Sequence, residues 1–158
     1  MSAPVRVICV GSPFGDDAVG LRAAALLQDG LDPAQAELSC HDRPGARLVE
    51  ALNGARKVVL VDGVRSGAAA GALHCLRGEA IFRQLSRHTS THGFGLADAL
   101  ALAARLGVAP DELVLYGIEI ESAAPGAEMS AAVEGALPGL VEAVRREVAA
   151  GIGRREGP

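Results

Sequence analysis

Two adjacent carboxylates, Asp16 and Asp17, follow a glycine turn at residues 11–15. Two further acids stand where apolar runs stop: Asp62 after residues 57–61 (KVVLV) and Glu119 after residues 113–118 (LVLYGI). A polar, aperiodic stretch at 87–95 (RHTSTHGFG) adds His88 and His92. Two carboxylate oxygens and an imidazole nitrogen form a donor set for a borderline divalent ion such as Zn²⁺ or Ni²⁺. Three protein ligands leave coordination positions open, which suits chemistry rather than a structural site. Each residue also has an ordinary role: Asp caps helices, Asp62 can bond the turn backbone at 63–66, and His92 can be an exposed loop residue. What favours the set is mutual repulsion, because gathered carboxylates need a cation or a proton to relieve them.

The surrounding pattern supplies the elements that would bring these groups together. Residues 5–10 are apolar except for Arg6, as in a strand buried on both faces of a parallel sheet. An Ala/Leu-rich helix is predicted over 18–28, a short strand over 36–40, a helix over 46–53 and a second buried strand over 57–61. Residues 72–76 form a fourth strand. Its connection to the third is too short for a helical crossover, so it is predicted to run antiparallel or at an edge. Helices are predicted at 79–85 and 96–106, and the last strand at 113–118. A final helix runs from an N-cap at Ser130 to 149, with Pro138 expected to kink or divide it. The result is one three-layer α/β domain over residues 1–150, with 151–158 as a flexible tail. If the strands are parallel, their carboxyl ends gather the acids on one rim, where open α/β sheets bind ligands.

Composition narrows the possibilities. The chain has 158 residues, enough for a single core without disulfides. Three Phe and one Tyr leave the core to Ala, Val and Leu. Fifteen basic against nineteen acidic residues give a net charge of -4, with no basic cluster that would engage nucleic acid. No segment approaches the ~20 apolar residues of a membrane span, and the four-residue apolar run 7–10 is too short for a signal-peptide core. Cys9, Cys40 and Cys75 are odd in number and unclustered, as in a cytoplasmic protein with reduced thiols. No exposed heptad is visible, so a monomer without membrane or nucleic-acid partners is expected.

Other chemistries lack their signatures. Gly11, Gly15 and Gly20 do not have dinucleotide-binding spacing, and there is no phosphate-loop G-K-[ST]. No G-x-S-x-G elbow is present. Cys40-His41 and His74-Cys75 are strand neighbours facing opposite ways, so neither is a dyad.

Four segments, G-S-P-F-G-D-D-A-V-G (11–20), V-V-L-V-D-G (58–63) followed by Ser66-Gly67, S-T-H-G-F-G (90–95) and Y-G-I-E (116–119), occur in an order that resembles the hydrogenase maturation proteases. The resemblance extends to P-G-A-E-M-S before the last helix. It implies an α/β/α sandwich on a five-stranded, mostly parallel sheet with one antiparallel strand. It also implies an endopeptidase that removes a C-terminal extension from the large-subunit precursor of a nickel–iron hydrogenase. The metal-binding positions of such proteases carry over onto Asp17, Asp62 and His92, a choice the residues alone leave open against Asp16 and His88. The implied nickel is the one already loaded into the substrate, with Zn²⁺ or another divalent ion able to replace it in isolation. Asp17, Asp62 and His92 would grip it while the peptide bond is attacked, and either Asp16 or Glu119 is a candidate general base. Two departures sit at the site: Ser12 stands where the family pattern G-N-P-x-x-G-D has Asn, and the turn is one residue shorter. Asp17 also stands where many members carry Glu.

Three rival readings follow from the same residues: a nickel-binding maturation chaperone without cleavage, a phosphate- or nucleotide-binding flavodoxin-like module, and a zinc hydrolase. Asp16 and Asp17 would repel a phosphate at the helix start, which weighs against the second.

Overall fold

In the computed structural model, which describes residues 4–86, 95–121 and 126–152, the apolar runs pair into one five-stranded sheet. Its strands are β1 (Val5–Gly11), β2 (Ala36–Asp42), β3 (Lys57–Val64), β4 (Leu73–Arg77) and β5 (Glu112–Glu119), in the order β2-β1-β3-β5-β4. β2, β1, β3 and β5 are mutually parallel. Only β4 runs antiparallel, against β5, as the short connection from β3 requires. Helices α1 (Val19–Gln28), α2 (Leu48–Leu52), α3 (Glu79–Ser86), α4 (Leu96–Arg105) and α5 (Ala131–Ala150) complete the chain. The α/β/α sandwich implied by the resemblance is the observed fold.

The unbroken apolarity of the central strands has a direct cause. Along β3, Val59 and Val61 enter one core with Val19, Ala23 and Leu27 of α1 and Val133, Leu137, Leu140 and Val144 of α5. Val58 and Leu60 enter a second core with Leu48 and Leu52 of α2, Ile81 of α3, and Ala99, Leu100 and Ala103 of α4. Both faces of the strand are therefore covered, and a period-two polar pattern would leave a polar side chain in one core. Truncating a side chain such as Leu60, which is fully buried, costs about 2–5 kcal/mol through lost burial and the cavity left behind. Small residues let the layers approach. A Cβ on Gly20 of α1 would lie 2.0 Å from the Val10 carbonyl oxygen of β1, so only glycine fits there.

Three expectations are corrected. Pro138 does not divide the last helix: α5 is continuous from Ala131 to Ala150. Pro138 is exposed while Val133, Leu137, Leu140, Val141 and Val144 lie buried on both sides of it. The carbonyl that proline leaves without a donor can face water, and packing of the apolar stripe keeps the two halves together. The second correction concerns Asp62, which lies within β3 rather than beyond it. Pairing continues through Asp62, Gly63 and Val64 against Gly117, Ile118 and Glu119. The third is at the first helix, where a tight 3-10 turn at Gly15–Ala18 precedes α1. Among the described residues, no helix is long and apolar enough to cross a membrane.

Candidate active site

The turn after β1 aims its two acids differently. The Asp17 carbonyl accepts the Ser12 N–H at 3.0 Å, the Asp17 N–H donates to the Phe14 carbonyl at 3.0 Å, and Gly15 occupies the left-handed region at φ 53°. Asp16, fully buried, does not cap the helix it precedes; neither the 3-10 turn nor α1 has a side-chain cap. Its carboxylate instead accepts the Glu121 N–H at 2.8 Å, the Ser130 N–H at 2.7 Å and the Ser130 hydroxyl at 3.0 Å. Asp16 thus ties the first turn to the chain leaving β5 and to the start of α5. Ser130 is the N-cap residue of α5, as expected, but its hydroxyl serves Asp16 rather than the helix backbone.

Asp17 takes the other direction and stays partly exposed. Burial raises its proton affinity, opposed by Arg65 nearby and a hydrogen bond from the Ser12 side chain, while the neighbouring Asp16 charge raises it further. Ser12, the departure from the family's Asn, is therefore one of the groups that favour the ionised form of Asp17. Across the rim, burial pushes the Asp62 carboxyl up to about 7; the Gly63 N–H, 2.7 Å from Oδ1, counteracts this and the Asp17 charge reinforces it. The turn-backbone bond considered as Asp62's ordinary role is thus present, yet it does not offset burial beside a like charge. Asp17 and Asp62 are electrostatically coupled, and while Arg65 compensates Asp17, no cation among the described residues offsets the burial of Asp62, a local environment of the kind that often marks a working site.

Glu119 ends β5 but serves a different partner set. It is 2% exposed and accepts the Ser66 N–H at 2.8 Å, the Ser66 hydroxyl, and a contact with His74 Nε2 at 3.2 Å. Burial would raise its proton affinity, but the Ser66 and His74 interactions outweigh that and hold it below the usual range. The two acids considered as general bases, Asp16 and Glu119, are each engaged in holding loops. His88 and His92 lie outside the described residues. Among the described residues, no group of three or more His, Cys, Asp or Glu side chains is placed to hold a metal ion. The excluded dyads have other partners: His41 Nε2 is 3.0 Å from Ser39 Oγ, and His74 meets Glu119. Cys9 is buried, and Cys40 and Cys75 are exposed free thiols.

A second ionic cluster was not anticipated. Lys57, the only lysine, is 2% exposed at the start of β3. Its Nζ donates to Glu147 at 2.8 Å and to the Gly151 carbonyl at 2.7 Å, and it pairs with Glu112 at 2.8 Å. Glu147 also receives Arg77 and, at 2.8 Å, the Tyr116 hydroxyl. A lone lysine opening a strand buried on both faces was the available signal, since such a charge needs partners. The cluster lies at the amino end of the sheet, opposite the acid rim.

The parallel course of β1 and β3 puts the turn bearing Asp17 and the end of β3 bearing Asp62 on one rim of an α/β sheet, the edge where such sheets bind ligands. The family model described as hydrogenase maturation protease matches residues 44–147, about two thirds of the chain, and the chain belongs to that family. The matched stretch contains Asp62 and Glu119; Asp17 precedes it. The hydrogenase expression/formation protein HoxM of Azotobacter vinelandii is 31% identical over 125 residues, 77% of this chain and 60% of that protein. The chain thus spans less than two thirds of this relative's length. Among solved structures, the hydrogenase maturating endopeptidase HybD from E. coli superposes with a TM-score of 0.85 at 25% identity, covering 94% of this chain and 93% of that one. The NiFe hydrogenase maturation protease HybD from Thermococcus kodakarensis gives a TM-score of 0.73 at 26% identity, covering 92% and 99%.

Proposed function

We propose that this protein is an endopeptidase that removes a C-terminal extension from a nickel–iron hydrogenase large-subunit precursor, using the nickel carried by that precursor as its cue. The observation that carries the reading is the electrostatic coupling of Asp17 and Asp62 at the carboxyl end of the sheet, where burial and the Asp17 charge together raise the Asp62 carboxyl to about 7. In this reading Asp17 and Asp62 supply oxygen donors to the substrate's nickel, and His92 supplies the nitrogen that a borderline ion favours. Asp62 then exchanges its proton for the cation, so that docking releases a proton and weakens as pH falls below about 7. The precursor's own ion completes a donor set that is electrostatically unfavourable without it, which couples cleavage to loading. Asp16 and Glu119 act on this site through the loops they hold.

The test is mass spectrometry of a large-subunit precursor, nickel-loaded or nickel-free, after incubation with the protein. Loss of a C-terminal peptide from the loaded form alone, abolished by His92→Ala and by Asp62→Asn, is the expected result. Cleavage irrespective of nickel would keep the peptidase and remove the cue. A loaded precursor that binds and stays uncut would make the protein a maturation chaperone.

A further inference from the structure

Hydrolysis of a peptide bond creates negative charge, and an acid-lined site is poorly suited to receive it. As the water oxygen bonds to the carbonyl carbon, the carbonyl π pair moves onto its oxygen. When that pair returns, the C–N bond breaks and the amine leaves with a proton from the water. The new carboxylic acid then gives its remaining proton to solvent at neutral pH. On the reading above both the oxyanion and the product carboxylate would form beside a nickel ion whose double charge Asp17 and Asp62 already offset, which leaves the new anion in need of a further cationic partner.

Arg65 stands immediately beyond the end of β3, three residues past Asp62. It is exposed and, among the described residues, carries no hydrogen bond or ion pair. It nonetheless lies within electrostatic reach of Asp17. The segment that bears it is anchored, because the buried Glu119 holds the next residue through the Ser66 N–H, at 2.8 Å to one oxygen and 3.1 Å to the other, and through the Ser66 hydroxyl. Glu119 is in turn fixed at the end of β5 and contacts His74 of β4. A guanidinium without a hydrogen bond of its own, next to an anchored residue and within electrostatic reach of Asp17, can receive an anion formed there. Its planar fork matches two oxygens on one carbon, which a lysine ammonium does not.

We propose that Arg65 receives the charge generated at the scissile carbonyl, first on the oxyanion and then on the product's new C-terminal carboxylate, with Glu119 as its positioning residue. This rests on the peptidase reading above. The experiment measures kcat and KM for nickel-loaded precursor with wild type, Arg65→Ala, Arg65→Lys and Glu119→Gln, each first shown to be folded by its thermal melt. Affinity for the already trimmed large subunit is measured alongside. Arg65→Ala is expected to lower kcat about 100-fold or more with KM nearly unchanged, as when one oxyanion donor is removed. It should also weaken binding of the trimmed subunit about tenfold, and Arg65→Lys should recover only part of each loss. Glu119→Gln should lower kcat alone but add little in the Arg65→Ala background, the signature of a residue acting through another. An active wild type with unchanged kcat in Arg65→Ala overturns the proposal, and so does a loss confined to KM. A wild type that cuts no loaded precursor overturns the peptidase reading instead, and the role of Arg65 with it.

Discussion

Glu147 of α5, which meets the amino end of the sheet at Lys57, and Asp62, toward its carboxyl end, are treated in opposite ways. At the amino end, burial would raise the proton affinity of Glu147, yet hydrogen bonds from Arg77, Lys57 and Tyr116 hold it down to about 2. At the carboxyl end, burial beside Asp17 pushes Asp62 up to about 7, with one backbone N–H in opposition. The first acid is matched by cations and a hydroxyl of its own fold, and its charge is satisfied once folding is complete. The second stands beside a like charge and is left to be satisfied by a proton or by something that arrives. The difference separates an ionic cluster that holds the domain together from one available for chemistry.

The largest effect should come from breaking the satisfied end. Glu147→Leu takes the shared carboxylate from Lys57, Arg77 and Tyr116, leaves the buried Lys57 ammonium with Glu112 and the Gly151 carbonyl alone, and should cost about 3 kcal/mol, seen as a lower urea midpoint. Adding Lys57→Met should return part of that loss, since an apolar pair then replaces a buried ammonium that has lost one of its two carboxylates. An unchanged midpoint in the single variant would mean that the cluster contributes nothing to the fold.

pH sharpens the contrast, because the two acids carry opposite signs. Glu147 is lowered from 4.5 to about 2, so its contribution is present above pH 4.5 and lost as pH falls toward 2. Asp62 is raised from 3.8 to about 7, so the folded state holds the extra proton in that window and stability declines as pH rises through it. In chelator-treated protein, Asp62→Asn should therefore stabilise by on the order of 2 kcal/mol at pH 8 and leave stability unchanged at pH 3. Thermal melts at the two pH values decide this, and a destabilised variant at pH 8 would count against an uncompensated acid.

Asp16, like Glu119, is a rim acid satisfied by partners from its own fold, as Glu147 is. Asp16→Ala should cost about 2 kcal/mol by leaving the Glu121 and Ser130 donors without their acceptor, and hydrogen exchange at those two amides should accelerate. The smallest effect belongs to Ser12. Ser12→Ala removes one hydroxyl from Asp17 and should cost about 1 kcal/mol, while raising the Asp17 proton affinity measured by NMR titration. A lowered affinity would show that Ser12 does not favour the ionised form.

Much of this architecture was legible in residue patterns because its causes are local or periodic. A strand covered on both faces has to be apolar throughout, and the short link before β4 cannot reach a parallel register. The rim position of Asp17 and Asp62 follows from strand direction alone. What could not be read was where individual side chains turn. Asp16 and Asp17 are equivalent in the sequence, and only the approach of residues 121 and 130, more than a hundred positions away, draws the first into the interior and leaves the second at the rim. Glu119 ends a strand just as an acidic ligand would, but Ser66 and His74 reach it first. Pro138 carried a local signal for a kink or a division, and the division did not follow because an apolar stripe packed on the sheet keeps α5 continuous.

By itself, the sequence determined the class of fold, the order of its layers and the edge of the sheet where acids accumulate, because burial and chain direction impose those at every residue. Tertiary structure alone decided which acids are satisfied and which are left over. A carboxylate's charge state depends on donors and charges within a few ångströms, and in this chain those come from segments distant in sequence.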